Sequence, residues 1–112
     1  MANIYKNANY DLATTDVTDI YTCPSNSRAI VKKLHCANRA ATGVIKVFLY
    51  DSSNATQYLI AQESIITTTS TGIADGTFIL EENDILRLQA AASDQMSGTV
   101  AILEMNREDQ NG

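Results

Sequence analysis

The chain has little of the chemistry that enzymes and metalloproteins use. Its 112 residues include no tryptophan, one proline, one histidine and two cysteines. A single histidine cannot form a histidine cluster, and neither a C-x-x-C pair nor a spaced set of His and Cys ligands occurs. The five glycines are scattered, so no phosphate-binding loop is present. The sequence therefore predicts no metal centre, no cofactor and no enzymatic activity.

Positive charge is also scarce. Eight lysines and arginines stand against thirteen aspartates and glutamates, and the net charge is −5. A protein that binds DNA or RNA directly needs a basic face to displace counterions from phosphate. The adjacent Lys32 and Lys33 do not supply one, because a strand sends neighbouring side chains to opposite faces. We therefore expect no direct contact with nucleic acid.

Long hydrophobic segments are absent as well. No stretch approaches the roughly 18 apolar residues of a membrane helix, and residues 1–10 lack the apolar core of a signal peptide. We expect no membrane association, and a protein made and used in a cytoplasm or packed into a particle assembled there. A disulfide between Cys23 and Cys36 is not favoured in such a reducing compartment.

The few reactive side chains fit structural roles. Cys36 follows apolar strand residues, which predicts a small core side chain, and Cys23 precedes the only proline near a strand end. His35 and Cys36 are neighbours in a strand and should point to opposite faces, which argues against a Cys–His nucleophile. The acidic segment 81–84 lacks the spacing of a calcium loop and is typical of a solvated, hairpin-like turn.

The dominant feature of the chain is a two-residue hydrophobic period. In residues 85–91, Leu86, Leu88 and Ala90 share one face while Arg87 and Gln89 share the other, as in a strand with one wet face. Similar runs separated by turns recur about every 8–12 residues. The sequence predicts an all-β protein with seven to nine strands, folded as an antiparallel β-sandwich of the jelly-roll type.

The pattern along the chain predicts one domain with two peripheral segments. Residues 1–10 are rich in Asn and Tyr, which predicts an N-terminal arm or a short first strand. Residues 11–106 are predicted to form the β-sandwich, and residues 107–112 to form a frayed tail. Imperfect alternation in residues 28–38 predicts a bulge or a twist near Lys32 and Lys33.

Contact with other proteins is the function class that the composition favours. Charged residues make up only 19% of the chain, and Ser, Thr, Asn and Gln take their place. Residues 43–51 are apolar on both faces apart from Lys46. This predicts a central strand covered by the core on one side, which a neighbouring subunit could cover on the other. Tyrosine serves protein interfaces well. The aromatics could instead form a platform for sugar, although the chain has no tryptophan. The predicted interface residues are Ile4, Tyr5, Tyr10, Phe48, Tyr50 and Tyr58.

Three segments, taken in order, resemble a group of small β-sandwich virion proteins of tailed bacteriophages. They are DVTDIYTCPSNSRAIVKKLHCAN (16–38), VFLYDSSNATQYLIAQE (47–63) and FILEENDILRLQAA (78–91), and the match covers roughly residues 10–105. The chain departs from the commoner pattern at Cys23, where such proteins often have Val, and at Asn83, where they often have Gly. The resemblance implies a structural role on the phage particle, in copies arranged around a symmetry axis.

The leading hypothesis is a capsid decoration, or cement, protein that binds the outside of the major capsid protein shell as a homotrimer and stabilises it. A tail, neck or baseplate accessory protein of the same fold is the second hypothesis. A carbohydrate-binding module for the host surface is the third.

Overall fold

The protein is built from β-strands and turns. The computed structural model describes residues 3–38, 43–65, 70–73, 78–91 and 96–106, and no helix occurs within these ranges. The strands are β1 (Asn3–Leu12), β2 (Thr18–Thr22), β3 (Ser27–Asn38), β4 (Gly43–Asp51), β5 (Thr56–Ile65), β6 (Ser70–Ile73), β7 (Phe78–Leu80), β8 (Ile85–Ala90) and β9 (Met96–Asn106).

The strands form two antiparallel sheets with nested pairing. The first sheet has the order β1-β9-β3-β6. The short strands β6 and β7 share the fourth position, because β7 pairs with the first half of β3 and β6 pairs with the second half. The second sheet has the order β2-β8-β4-β5. The first strand therefore pairs with the last, the second with the next to last, and so inward to the neighbours β4 and β5. This is the pairing of a jelly roll, and the predicted fold is confirmed.

The core lies between the two sheets and follows the two-residue period. On β8, Leu86, Leu88 and Ala90 are at most 3% exposed, while the alternate side chains face outward. Every strand of this kind removes one row of apolar side chains from water, which is the main favourable term in folding. The largest fully buried side chains are Leu12, Leu34, Ile45, Ile65, Leu80, Leu86, Leu88, Met96, Ile102, Val31, Val47 and Val100.

A polar contact links the sheets inside one flank of the sandwich, where β1 and β2 lie side by side. Glu104 of β9 is 8% exposed and accepts a hydrogen bond at 2.5 Å from the Tyr21 hydroxyl of β2. Lys6 of β1 forms a 3.1 Å salt bridge with the same carboxylate oxygen. A nearly buried carboxylate is tolerable here because both partners satisfy it.

The acidic turn at residues 81–84 does not close a hairpin. It connects β7 of the first sheet to β8 of the second, so the predicted hairpin-like connection is wrong. The predicted turn is present, and Glu81 and Asn83 are exposed in it. Asp84 is 5% exposed, and its carboxylate accepts hydrogen bonds from the main-chain N–H groups of Ser52 and Glu81 at 3.0 Å each. The carboxylate is buried because it accepts hydrogen bonds from main-chain N–H groups of two turns, which meet at this end of the sandwich.

The N-terminal residues belong to the sandwich. Residues 3–10, predicted as an arm or a short first strand, form most of β1, which pairs with β9 from Asn3↔Met105 to Leu12↔Met96. Of the two predicted alternatives the structure therefore has the strand. β1 pairs with one edge of β9, and β3 pairs with the other. The predicted tail, residues 107–112, lies outside the described residues.

Candidate interaction surface

Four apolar side chains form a continuous row across the outer face of the first sheet. Tyr5 of β1 pairs with Leu103 of β9, Leu103 with Ile30 of β3, and Ile30 with Ile79 of β7. Directly opposed residues of antiparallel strands project to the same face with Cβ atoms about 4.5–5.5 Å apart. The four side chains, here called the apolar row, therefore cross all four strand positions of the sheet.

The ends of the apolar row are the most exposed. Tyr5 is 77% and Ile79 58% exposed, and the central Leu103 and Ile30 are half-buried. Single exposed apolar residues are common on protein surfaces, but a contiguous apolar patch is a mark of an interaction site. Three strand pairings fix the backbone of the row, which limits the backbone entropy that binding of a partner would cost.

Basic side chains border the apolar row on β3. The pairing of β3 with β9 shifts between Val31 and Lys33, so of the two predicted alternatives, a bulge or a twist, the structure has the bulge. Because β3 has one extra residue here, the two lysines are not on opposite faces. Lys32 and Lys33 are both exposed, between buried Val31 and buried Leu34. The expectation that a strand would send the two lysines to opposite faces is therefore wrong.

Arg28 is the third basic residue at this surface. It is exposed, two positions before Ile30, and its register partner Met105 lies two positions after Leu103 on β9. Together with Lys32 and Lys33 it is here called the basic flank. Among the described residues, neither salt bridge involves a member of the basic flank, so these charges remain available to a partner.

The other predicted interface residues are divided among different surroundings. Ile4 is 46% exposed near the start of β1, and Tyr58 is 48% exposed on β5, the edge strand of the second sheet. Phe48 and Tyr50 are half-buried on the outer face of β4, where they pair with Arg87 and Ile85.

Tyr10 belongs to the core and not to an interface. It is 9% exposed, and its hydroxyl donates a 2.6 Å hydrogen bond to the main-chain oxygen of His35. Burial raises the pKa of the Tyr10 phenol above its ordinary value, as does the neighbouring Cys36. The sequence pattern missed this because it treated residues 1–10 as one peripheral segment.

Polar contacts occupy much of the outer face of the second sheet. The guanidinium carbon of Arg87 lies 4.5 Å from the centre of the Tyr50 ring. Arg87 also donates hydrogen bonds to Asp19 at 2.7 Å and to Gln57 at 3.0 Å. One face of Tyr50 is therefore covered by an ordered cation.

The edge strand β5 carries a second exposed apolar group. Leu59 and Ile60 are 52% and 39% exposed beside Tyr58. The pairing with β4 shifts where Val47 faces Ala61 and Phe48 faces Leu59, which leaves Ile60 as the extra residue of a bulge. A bulge interrupts the regular ladder and makes such an edge a poor template for an added strand.

Within the described part of the chain, no group of three or more His, Cys, Asp or Glu side chains is placed to hold a metal ion. Cys36 is buried with its sulfur 3.7 Å from that of Met96, whereas His35 lies on the outward parity opposite Thr99. The predicted placement of these neighbours on opposite faces is confirmed. Within the described residues no helix is long and apolar enough to cross a membrane.

Sequence comparison leaves the chain without assigned relatives, whereas structural comparison finds its fold. No protein-family model and no curated protein sequence matches it. A structure of Bacillus endospore appendages, described as disulfide-linked pili, is similar with a TM-score of 0.59 and 12% identity, over 94% of this chain and 87% of that one. This likeness supports the jelly-roll sandwich itself.

Two further structures share the fold at lower similarity. A chain of infectious bursal disease virus, Gt strain, has a TM-score of 0.50 and 13% identity, over 93% of this chain and 30% of that one. The CBM22-1–GH10 modules of Clostridium thermocellum xylanase 10B, complexed with xylohexaose, have a TM-score of 0.50 and 10% identity, over 92% of this chain and 25% of that one. One fold thus serves a pilus, a virus and a xylanase, so the surface must decide the function.

Proposed function

We propose that this chain is a structural protein of a tailed bacteriophage virion, and specifically a decoration protein that binds the outer surface of the major capsid protein shell. The observation that carries the proposal is the apolar row on the outer face of the first sheet, with both ends exposed. It is bordered by three basic side chains that form no salt bridge with another described residue. The resemblance of residues 16–38, 47–63 and 78–91 to phage virion proteins supports the phage assignment.

The proposed mechanism is cementing of the shell by added interface. Each subunit contributes apolar contact, and copies arranged as a homotrimer bind together, so the second and third contacts form at high effective concentration. The bound subunits would bridge neighbouring capsomers and resist outward pressure from packaged DNA. The proposal includes assembly in the host cytoplasm, no catalytic activity, and no direct contact with nucleic acid or membrane.

Electron microscopy of purified virions tests the location. Density for this protein over the capsid shell, at hundreds of copies per particle, is the expected result. Density confined to the tail, with a dozen copies or fewer, would instead establish the alternative of a tail, neck or baseplate accessory protein. Mass spectrometry of intact particles supplies the copy number independently of the images.

A host-surface carbohydrate-binding module is the remaining alternative. An aromatic ring that binds sugar must offer a free face, and on the second sheet the Arg87 guanidinium lies over Tyr50 at 4.5 Å. This contact argues against a sugar platform at Tyr50, whereas Tyr5 and Tyr58 are exposed. Saturable binding on a glycan array, lost when one of these three tyrosines is replaced by alanine, would support the carbohydrate-binding module over the decoration protein.

A further inference from the structure

The outer face of the first sheet combines exposed apolar side chains with a cluster of basic ones. It carries the apolar row, and it carries three of the eight basic residues in a chain whose net charge is −5. On the outward parity of its described strands the acidic side chain is Asp11, six positions along β1 from Tyr5. Exposed Glu81 lies two residues after Ile79, just beyond the end of β7. The three basic residues of the face outnumber these two carboxylates, in a protein whose net charge is −5.

We propose that this face is the docking surface of the subunit, and that its partner is a protein surface with an apolar strip bordered by carboxylates. The inference rests on the proposed function, in which the shell provides that surface. The apolar row would bury against the strip, while Arg28, Lys32 and Lys33 would meet carboxylates at the rim. Complementary charge of this kind sets the orientation and speeds association.

The dimensions of the face approach those of a standard protein–protein interface without reaching them. Strands of ten to twelve residues extend about 33 Å or more, and four positions about 4.8 Å apart give a face of roughly 600 Å². A standard interface buries about 800 Å² on each partner. A hollow of about 200 Å³ beside the row, lined by Tyr5, Lys6, Asn7, Lys32, Ala101 and Ile102, would receive a protruding side chain.

Charge also distinguishes this partner from other occupants. A second copy bound through the same face around a twofold axis would bring two basic flanks together, and like charges across an interface are costly. Nucleic acid could pair its phosphates with the basic flank, but it would leave the apolar row without an apolar partner, because contacts to phosphate come from polar and charged groups. An acidic protein surface with its own apolar strip satisfies both parts.

Binding of the purified protein to particles assembled without it tests the assignment. Ile79→Asp adds a negative charge to the apolar row, and Lys33→Glu reverses one charge of the basic flank. We expect each to weaken binding about tenfold or more, with the Lys33→Glu effect shrinking as salt rises. The matched controls, Leu59→Asp and Lys46→Glu, change exposed residues of the second sheet and should stay within about twofold of wild type.

The outcomes separate this inference from the proposed function. Failure of the wild-type protein to bind any particle part overturns both. Wild-type binding that survives Ile79→Asp and Lys33→Glu but is lost in Leu59→Asp overturns only the docking face. If light scattering shows a wild-type dimer that Ile79→Asp abolishes, the occupant of the face is a second copy of the chain. If the protein binds a DNA duplex in a salt-dependent way and Lys33→Glu loses that binding, the occupant is nucleic acid.

A second variant guards against misfolding. Tyr5 is 77% exposed, so Tyr5→Ser removes the other end of the apolar row with little effect on the core. It should weaken particle binding while keeping the wild-type denaturation midpoint. Unchanged binding of Tyr5→Ser together with Ile79→Asp would show that the row is not contacted.

Discussion

The hydroxyl of Tyr10 donates a 2.6 Å hydrogen bond to the main-chain oxygen of His35, reaching from β1 to β3 across the strand that separates them. The residue of β9 beneath this contact is Gly98, which pairs with both Tyr10 and Cys36. A Cβ atom at Gly98 would lie 1.9 Å from the His35 oxygen and 2.7 Å from the Tyr10 hydroxyl. The contact therefore exists only because residue 98 has no side chain.

Gly98→Ala should destabilise the fold. The added methyl group must displace the main chain of His35 or the Tyr10 ring, and overpacking of this kind costs about 1–3 kcal/mol. Tyr10→Phe is the matched variant, because it removes the hydrogen bond without adding volume and should cost about 0.5–1.5 kcal/mol. Urea denaturation measures both, and a Gly98→Ala protein as stable as wild type would contradict this account.

Acid should remove a stabilising contribution that depends on Glu104. Burial alone would raise the pKa of Glu104, but hydrogen bonds from Tyr21 and Lys6, and the charge of Lys6, outweigh burial and lower that pKa below its ordinary value of 4.5. A lowered pKa in the folded state stabilises the protein above about pH 4.5 and loses that effect as pH falls through the folded-state pKa.

Glu104→Gln measures this contribution. The difference in the free energy of unfolding between wild type and Glu104→Gln should be largest near pH 7 and should shrink below about pH 4.5. Glu81→Gln, at an exposed carboxylate, serves as the control and should follow the wild-type pH profile. A wild-type to Glu104→Gln difference that stays constant from pH 7 to pH 3 would sink the prediction.

Asn83 should tolerate glycine but not alanine. It has a φ of 68° in the turn between β7 and β8, and its N–H donates a 2.8 Å hydrogen bond to the Cys23 oxygen. Asparagine and glycine accept the left-handed region, whereas other residues lose about 1–2 kcal/mol there. Asn83→Gly should remain within about 0.5 kcal/mol of wild type and Asn83→Ala should lose about 1 kcal/mol, as thermal or urea unfolding would show.

Ala55 offers the same test in reverse. It holds a φ of 51° in the exposed turn between β4 and β5, a conformation that alanine disfavours. Ala55→Gly should therefore raise the stability by a few tenths to about 1 kcal/mol. A lower denaturation midpoint for Ala55→Gly would show that the unfolded-state entropy of glycine outweighs the relieved strain.

Both cysteines should resist thiol reagents while the protein is folded. Cys23 and Cys36 are free and fully buried. Burial, followed by the nearby carboxylates of Glu104, Asp84 and Glu82, raises the pKa of Cys23 to about 11, and burial raises the pKa of Cys36. Because the thiolate is the reactive form, labelling by a disulfide reagent at pH 8 should require unfolding.

The labelling rate should rise with denaturant in parallel with the unfolded fraction. Cys23→Ala and Cys36→Ala, each with one thiol left, assign the rate to a residue. Rapid labelling of either variant without denaturant would mean that its thiol is accessible in the folded protein.

Much of the fold could be predicted from local sequence. The alternation of Leu86 and Leu88 with Arg87 and Gln89 identified a half-buried strand, and the broken alternation near Lys32 identified a bulge. The positions of turns and the number of strands then favoured a jelly roll. These features were accessible because each depends on residues within a few positions of one another.

The apolar row could not be found in the same way. Tyr5 and Ile30 were not recognisable as neighbours of Leu103, because the chain must fold before β1 and β3 align on either side of β9. Ile79 gave one local signal, since it has the outward parity next to buried Leu80. That parity predicts exposure of one side chain but says nothing of the strand beside it.

The sequence by itself determined the strand period, the all-β class and the buried side chains of regular strands such as β8. Alternating polar and apolar side chains place the apolar ones on one face of a strand, which must then be covered from water. Tertiary structure alone decided which outward side chains stand together. Register between distant strands aligned Tyr5, Leu103, Ile30 and Ile79, and one extra residue in β3 left Lys32 and Lys33 exposed together. Surface composition depends on pairing across the sheet, and pairing is set by the packing of the whole core.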